Sequence, residues 1–368
     1  MVSYVDAHTQ FDNLGDDVIL ERLLALLAER GEVVVDTRGI GPELLELTGA
    51  GNHRRAGALP LRILADAARD RLRAEGSRSR RVLVLKPGHI GGTPSARAIA
   101  ERVVLLGVTL GCRALGARVV RTAFSVADLH PTMLLLERWQ TRAMHVYAPR
   151  DSRSVRYARG KGLRVHATSA DLAWTVPVTP VRPRTSPGTV VFSLRCSTSG
   201  YEKQDDYERR LTALVGRLQP SLRSGGRTPV WVSQVVSDDA FAGQLADGPG
   251  ERVVFDRTPA GSRRVLDAYA GAEVVLTNRL HTFLLALAQG TPALVLTDPS
   301  THAKLDGLLS DAGLGDLLLD VRSVSADDVL ARIDGLTAEL PDVATAVAKA
   351  FATGRAHIAA TLDDAVAG

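Results

Sequence analysis

Short runs of β-branched and aliphatic residues recur along this chain, each followed by a stretch with helical apolar spacing. Residues 33–35, 81–85, 118–121, 143–148, 189–194, 230–234, 252–255, 273–277 and 293–296 are such runs. A strand that reads apolar on both faces is buried on both faces, and alternation with helices places those helices over a parallel sheet. The alternation breaks once. Residues 175–188, TVPVTPVRPRTSPG, carry Pro177, Pro180, Pro183 and Pro187 without a helical pattern, which is the composition of a linker. The fold class that follows is α/β, with two doubly wound Rossmann-like domains facing a cleft. The expected boundaries are 1–174 for the first domain, 175–188 for the linker, 189–340 for the second domain and 341–368 for a C-terminal helix. A length of 368 residues suits two domains.

The most informative stretch is 273–304. Glu273 to Thr277 reads as a buried strand, Asn278-Arg279-Leu280-His281 interrupts the apolar pattern, Thr282 to Gln289 is helical, and Ala293 to Leu296 is the next strand. Arg279 and His281 therefore fall where a parallel strand ends and a helix begins. Ligands bind at that edge of open α/β sheets, and the helix N-terminus favours an anion. Lys304 follows the next strand and reaches the same edge. Arg150 and Arg195 also stand directly after apolar runs, and Lys86 does as well. Singly, each such arginine is as much a structural as a functional residue. Together they argue for a substrate with several negative charges.

Other candidates carry strong structural alternatives. Asp16 and Asp17 open a helix, where capping and dipole complementation explain them, or else one carboxylate orients a sugar hydroxyl. Asp151 is placed to cap a helix running to about Arg159. Lys86 to Gly92 reads as a glycine-rich turn that lets backbone approach a ligand, but it is neither a Walker loop nor a dinucleotide fingerprint. Leu163 to His166 reads as a strand. Two separate helices, about 325–336 and 342–366, are expected on either side of Pro341. His8, His53 and His357 read as surface residues.

Several function classes are excluded. A net charge of +4 and pI near 9.2 are too weak and dispersed for nucleic acid, though they suit an anionic substrate or an acidic membrane surface. Cys112 and Cys196 have no CxxC partner, and neither HxxxH nor an aspartate-rich cluster occurs, so no metal is expected. There is no GxSxG elbow to support covalent catalysis. No apolar run approaches the ~20 residues of a membrane span, and the expected location is the cytoplasm. A homo-oligomer is compatible with the sequence.

The order of these motifs resembles the polysaccharide pyruvyl transferase family. That family's N-x-G-D-[DE] start is matched by Asn13-Leu14-Gly15-Asp16-Asp17, and its glycine-rich loop by Gly88 to Gly92, including Gly91 and Gly92. Its R-D-x-x-S element is matched by Arg150-Asp151-Ser152-Arg153-Ser154, with Asp171 downstream. A strand ends in Ser193-Leu194-Arg195. R-L-H is Arg279-Leu280-His281, followed by Gly290-Thr291-Pro292 and Lys304. The chain departs from the pattern in its first loop, Asp6 to Asp12, and in Asn278, where the family is often acidic.

The resemblance implies a two-domain fold similar to GT-B glycosyltransferases. It implies phosphoenolpyruvate as donor, no cofactor, and a sugar or lipid-linked saccharide acceptor that receives a cyclic pyruvate ketal. A lipid-linked acceptor would bring the protein to the membrane face without a span. In that scheme Arg279, Arg195 and Lys304 hold the donor's carboxylate and phosphate, and His281 is the acid. Asp16, Asp17 or Asp151 orients or deprotonates the acceptor, while Arg150, Asn13, Gly91 and Gly92 line the substrate. Two other readings fit the same residues. One is a nucleotide-sugar glycosyltransferase of the same architecture, for which Asp298 and Asp306 are the nearby ribose-holding candidates. The other is a ligand-binding or scaffold protein without catalysis.

Overall fold

The computed structural model describes all residues except 10–11, 74–78, 93–94, 182–187, 196–203, 247–251, 300–302 and 367–368. The chain divides into two compact units. One comprises Met1–Thr9, Asp16–Thr175 and Thr353–Gly368, the other Gln10–Gly15 and Val176–Ala352.

The first unit is built on β1 (Val2–Asp6), β2 (Glu32–Asp36), β3 (Arg54–Arg55), β4 (Arg81–Leu85), β5 (Gly88–Gly92), β6 (Arg118–Leu129) and β7 (Val146–Pro149). Strand order runs β3-β2-β1-β4-β6, with β5 and β7 also paired to β6, and every pairing is parallel. The helices are α1 (Leu14–Ala28), α2 (Pro42–Leu47), α3 (Leu59–Arg71), α4 (Ala96–Ala114), α5 (Pro131–Ala143) and α6 (Ser152–Gly160). Tyr4, Val34, Val119, Phe124 and Tyr147 are fully buried at the sheet, as strands covered on both faces must be.

Three expectations change here. Residues 88–92 are not a free turn. They form β5, which pairs with residues 124–129 while β4 pairs with 118–121. The run at 118–121 is the start of a 12-residue strand. Leu163 to His166 is not a strand. His166 N–H donates to the Tyr147 carbonyl at 3.0 Å, but the Tyr147 N–H is taken by His166 Nδ1 at 3.1 Å. A side chain thus occupies the place that the next ladder bond would need.

The second unit has β8 (Thr189–Ser193), β9 (Thr228–Ser233), β10 (Arg252–Val254), β11 (Val274–Thr277), β12 (Ala293–Thr297) and β13 (Leu318–Asp320). They lie in the order β10-β9-β8-β11-β12-β13, all parallel. Counted along the chain this is 3-2-1-4-5-6, the doubly wound order, whose topological switch falls between β8 and β11. Its helices are α7 (Gln204–Ser224), α8 (Asp239–Leu245), α9 (Pro259–Gly271), α10 (Leu280–Ala288), α11 (Ala303–Asp311) and α12 (Ala326–Val366). α12 is one 41-residue helix that passes through Pro341. Its last residues count with the first unit, where Gly354 lies so close to Trp174 that a Cβ would sit 2.6 Å from the indole. Residues 176–181 pack with the second unit, and Thr179 N–H donates to the Ala288 carbonyl at 2.7 Å. Among the described residues, no helix is long and apolar enough to cross a membrane.

Candidate active site

In the second unit, the residues after β8 and β11 meet at the switch point. The clasp between them is Asn278, which is 1% exposed. Its Oδ1 accepts from the Arg195 N–H at 2.9 Å, and its Nδ2 donates to the Arg195 carbonyl and the Tyr207 hydroxyl, both at 2.8 Å. These partners fix the amide's orientation, because a backbone N–H only donates and a carbonyl only accepts. An aspartate would keep the first bond, set a carboxylate oxygen against the Arg195 carbonyl, and hold the Tyr207 hydroxyl only by taking the proton that it now donates to the Leu296 carbonyl. Asn278→Asp is therefore expected to destabilise the protein by about 1–3 kcal/mol, read as a lower urea midpoint at unchanged slope. An unchanged midpoint would show that the clasp contributes nothing.

Arg279 is the N-cap residue of α10. Its N–H donates to Thr277 Oγ1 at 3.0 Å, and that hydroxyl donates to the Ser193 carbonyl at 2.7 Å, so both strand ends fix its backbone. The guanidinium makes a two-point ion pair with Asp238, through Nε and Nη2. Asp238 follows β9, and both side chains are largely buried. Burial pushes the Asp238 carboxyl above its ordinary range, against the pull of Arg279 and Arg195 and with help from Asp12. Arg195 and Arg279 thus act on one carboxylate.

His281 lies in the first turn of α10, against Gly15. A Cβ at Gly15 would stand 2.4 Å from His281 Nδ1 and 2.5 Å from its Cβ. Only glycine fits there, which gives the glycine of the N-x-G-D-D motif a physical reason. The motif's first half is stitched to the turn after β9. Asn13 forms an antiparallel bridge with Val235, Leu14 N–H donates to the Gln234 carbonyl at 3.1 Å, and Val236 N–H donates to the Asp12 carbonyl at 3.0 Å. Asn13 Oδ1 accepts from the Gly15 N–H at 3.1 Å. Beneath them Tyr269, whose hydroxyl burial pushes up to about 12, donates to the Gln234 side chain at 3.3 Å. Lys304 falls in the first turn of α11, and its side chain lies outside the described residues.

In the first unit, Asp16 and Asp17 stand in the first turn of α1, at the edge where β1 ends. Asp17 is 1% exposed and accepts from Thr9 Oγ1 at 3.0 Å, which ties the loop after β1 to the helix. Asp16 is half-buried. Asp151 caps α6. Its oxygens accept from Ser154 N–H at 2.6 Å, Ser154 Oγ at 2.9 Å and Ser125 Oγ at 2.7 Å. Arg150 donates to Asp171 at 2.5 Å and to Ser125 Oγ at 2.8 Å. These groups form one network with Asp151 and Asp171 buried in it. Gly91 lies in β5, where a Cβ would meet the Ala127 carbonyl at 3.0 Å, and Gly92 ends that strand opposite Leu129.

Two residues of these groups were not singled out in the sequence. Asp238 is one. Its signal is a carboxylate in the loop that follows a strand, four residues beyond the run 230–234. His8 is the other. Its Nδ1 contacts Asp6 Oδ1 at 2.5 Å and its Nε2 the Arg38 carbonyl at 2.7 Å. Both partners are acceptors, which favours the ring with both nitrogens protonated. Burial alone would lower its pKa, but these bonds and the fields of Asp6 and Asp36 raise it. It is a clasp between the ends of β1 and β2.

The sequence profile of polysaccharide pyruvyl transferases matches residues 116–299, half of the chain. That span includes Arg150, Asp151, Asp171, Arg195, Asp238, Arg279 and His281. No curated protein matches the chain. Among solved structures, it is similar to the Anabaena protein Alr3699/HepE in complex with UDP, at 11% identity and a TM-score of 0.58, covering 100% of this chain and 98% of that one. A glycosyltransferase from Rickettsia africae is similar at 10% identity and a TM-score of 0.54, covering 97% and 93%. A putative UDP-N-acetylglucosamine 2-epimerase from Listeria monocytogenes gives 10% and 0.52, covering 95% and 90%. At such identities the likeness establishes the fold, two parallel-sheet α/β domains of the GT-B type.

Proposed function

The chain belongs to the polysaccharide pyruvyl transferase family, and from that premise we propose that it transfers the pyruvyl group of phosphoenolpyruvate to two hydroxyls of a sugar. The observation that carries the reading is the grouping of Arg195, Arg279 and His281 at the switch point of the second sheet. Phosphoenolpyruvate has a carboxylate and a phosphate. Two guanidiniums and a helix N-terminus supply the fork geometry and partial positive charge that such groups need. The ion pair with Asp238 holds Arg279 in place without a ligand.

In the proposed reaction, His281 protonates C3 of phosphoenolpyruvate, which becomes the methyl group and leaves positive charge at C2. A sugar hydroxyl adds at C2 and gives up its proton. The bond from C2 to the phosphate oxygen breaks, the second hydroxyl adds at C2 to close the ketal, and its proton leaves on the inorganic phosphate. The imidazole gives one proton and takes back the one lost by the first hydroxyl, as a general acid–base does. Asp16 is the carboxylate we assign to the acceptor. Asp151 and Asp17 are spent on a helix cap and a loop tether, so we assign them to positioning.

Calorimetric titration tests the donor. Phosphoenolpyruvate is expected to bind saturably, and Arg279→Ala is expected to weaken it roughly 10–100-fold, the loss of a charged two-point contact. Binding of UDP in its place would make the protein a nucleotide-sugar enzyme and overturn the reading.

A further inference from the structure

The outward face of α4 is apolar for five turns. Ala96, Ala100, Val103, Gly107, Leu110 and Ala114 recur at helical spacing, and all are exposed. A surface helix normally carries polar residues there, with its apolar stripe turned inward. The inward stripe exists as well, in Val108, Thr109 and Cys112. α3 flanks α4 on one side, Leu64 packing against Gly111, and α5 on the other, Gln140 donating to Thr109 at 2.5 Å. The neighbours extend the patch. Leu61 on α3 is 71% exposed, and Val104, Leu135 and Trp139 are 63%, 53% and 55% exposed. Exposed apolar side chains gathered on three neighbouring helices make a patch of the kind that marks an interaction site, unlike the scattered single residues of an ordinary surface.

Charge decides what covers it. The three helices hold eight arginines, no lysine and four carboxylates. Every carboxylate is already paired: Asp66 with Arg62 and Arg69, Asp70 with Arg73 and Arg81, Glu101 with Arg97, and Glu137 with Arg102 and Arg121. The face is therefore positive. A second copy meeting it about a two-fold axis would set arginines against arginines. An anionic lipid surface would meet them with phosphates. Trp139, with the Arg142 guanidinium 5.7 Å over its ring, has the amphipathic character of interfacial tryptophans.

We propose that the α3–α4–α5 face docks on an anionic phospholipid bilayer, with Val103, Val104, Leu110, Leu135 and Trp139 entering the headgroup boundary. α4 starts just past the end of β5, at the edge where open α/β sheets take their ligands. A saccharide carried on a lipid would arrive at that edge from the same surface. This last step rests on the pyruvyl-transfer reading, whereas the docking does not.

Vesicle sedimentation of the full chain tests it, with phosphatidylcholine–phosphatidylglycerol vesicles against pure phosphatidylcholine. Binding is expected to the mixed vesicles alone, to fall with salt, and to weaken roughly tenfold in Val103→Glu and in Trp139→Ser. The two variants lie on different helices, and their melting temperatures report folding, so either alone can carry the test. Failure to bind mixed vesicles, or equal binding by the variants, would overturn the proposal. So would a dimer, seen by sedimentation velocity without lipid, that both substitutions dissolve. Phosphoenolpyruvate titration of the same variants is expected to be unchanged. Lost donor binding by the wild type with intact vesicle binding would remove the pyruvyl-transfer reading and leave the docking in place.

Discussion

His281→Ala is expected to lower turnover by roughly 10²–10⁴-fold while the protein stays folded. The size follows from the role: removing a positioned proton donor removes the assistance it gives in the transition state, not the binding of the anion. Phosphoenolpyruvate affinity should therefore change little, since Arg195 and Arg279 remain. The fold should tolerate the change because the ring is only half-buried and faces Gly15. Gly15→Ala makes the sharper test. It leaves the imidazole in the protein but places a methyl group 2.4 Å from its Nδ1, so the ring must move. Rate should fall in that variant too, although no chemical group is lost. Normal turnover in His281→Ala would remove the residue from the mechanism, and a large loss of donor affinity would recast it as a binding residue.

The elements legible in the sequence were those specified locally. The strand end at Thr277, the strand read as 189–194 and found as Thr189–Ser193, the cap at Asp151 and the helix opened by Asp16 and Asp17 follow from apolar runs and capping residues within a few positions of each other. The missed features depend on residues far apart. Arg121 reads as the polar end of a strand, yet β6 continues through it for eight more residues. It is buried because Glu137, on α5, accepts its Nη1 at 2.8 Å. Glu137 itself is 1% exposed. Pro341 reads as a helix break. Here Leu336, Leu340, Val343 and Val347 are all buried at helical spacing, and continuous packing outweighs one lost backbone bond. The candidate site divides the same way. Arg279 and His281 were visible from their place after a strand, but the partner that neutralises Arg279 lies 41 residues away.

That partner gives the second large effect. Asp238→Ala is expected to destabilise the protein by about 3–5 kcal/mol, because it leaves a largely buried guanidinium without its counter-charge. The double variant with Arg279→Ala should recover most of that loss, since the uncompensated charge is then gone as well. Acid should widen the gap between wild type and Asp238→Ala, read from melting temperatures as pH is stepped down through the carboxylate range. Burial raises the Asp238 carboxyl above 3.8, so the native state takes up its proton more readily than the unfolded chain. The protonated form is thus favoured by folding, and that contribution fades as pH rises through the raised value. Asp238→Ala has no such group, so its stability does not share that gain in acid. Ligand then separates two roles for the carboxylate. If the donor's anionic groups take over Arg279 from Asp238, phosphoenolpyruvate will raise the melting temperature of Asp238→Ala more than that of the wild type, because it supplies the missing charge. If it raises the variant less, the carboxylate is not a competitor but the group that aims Arg279 at the donor, and the exchange of partners is excluded.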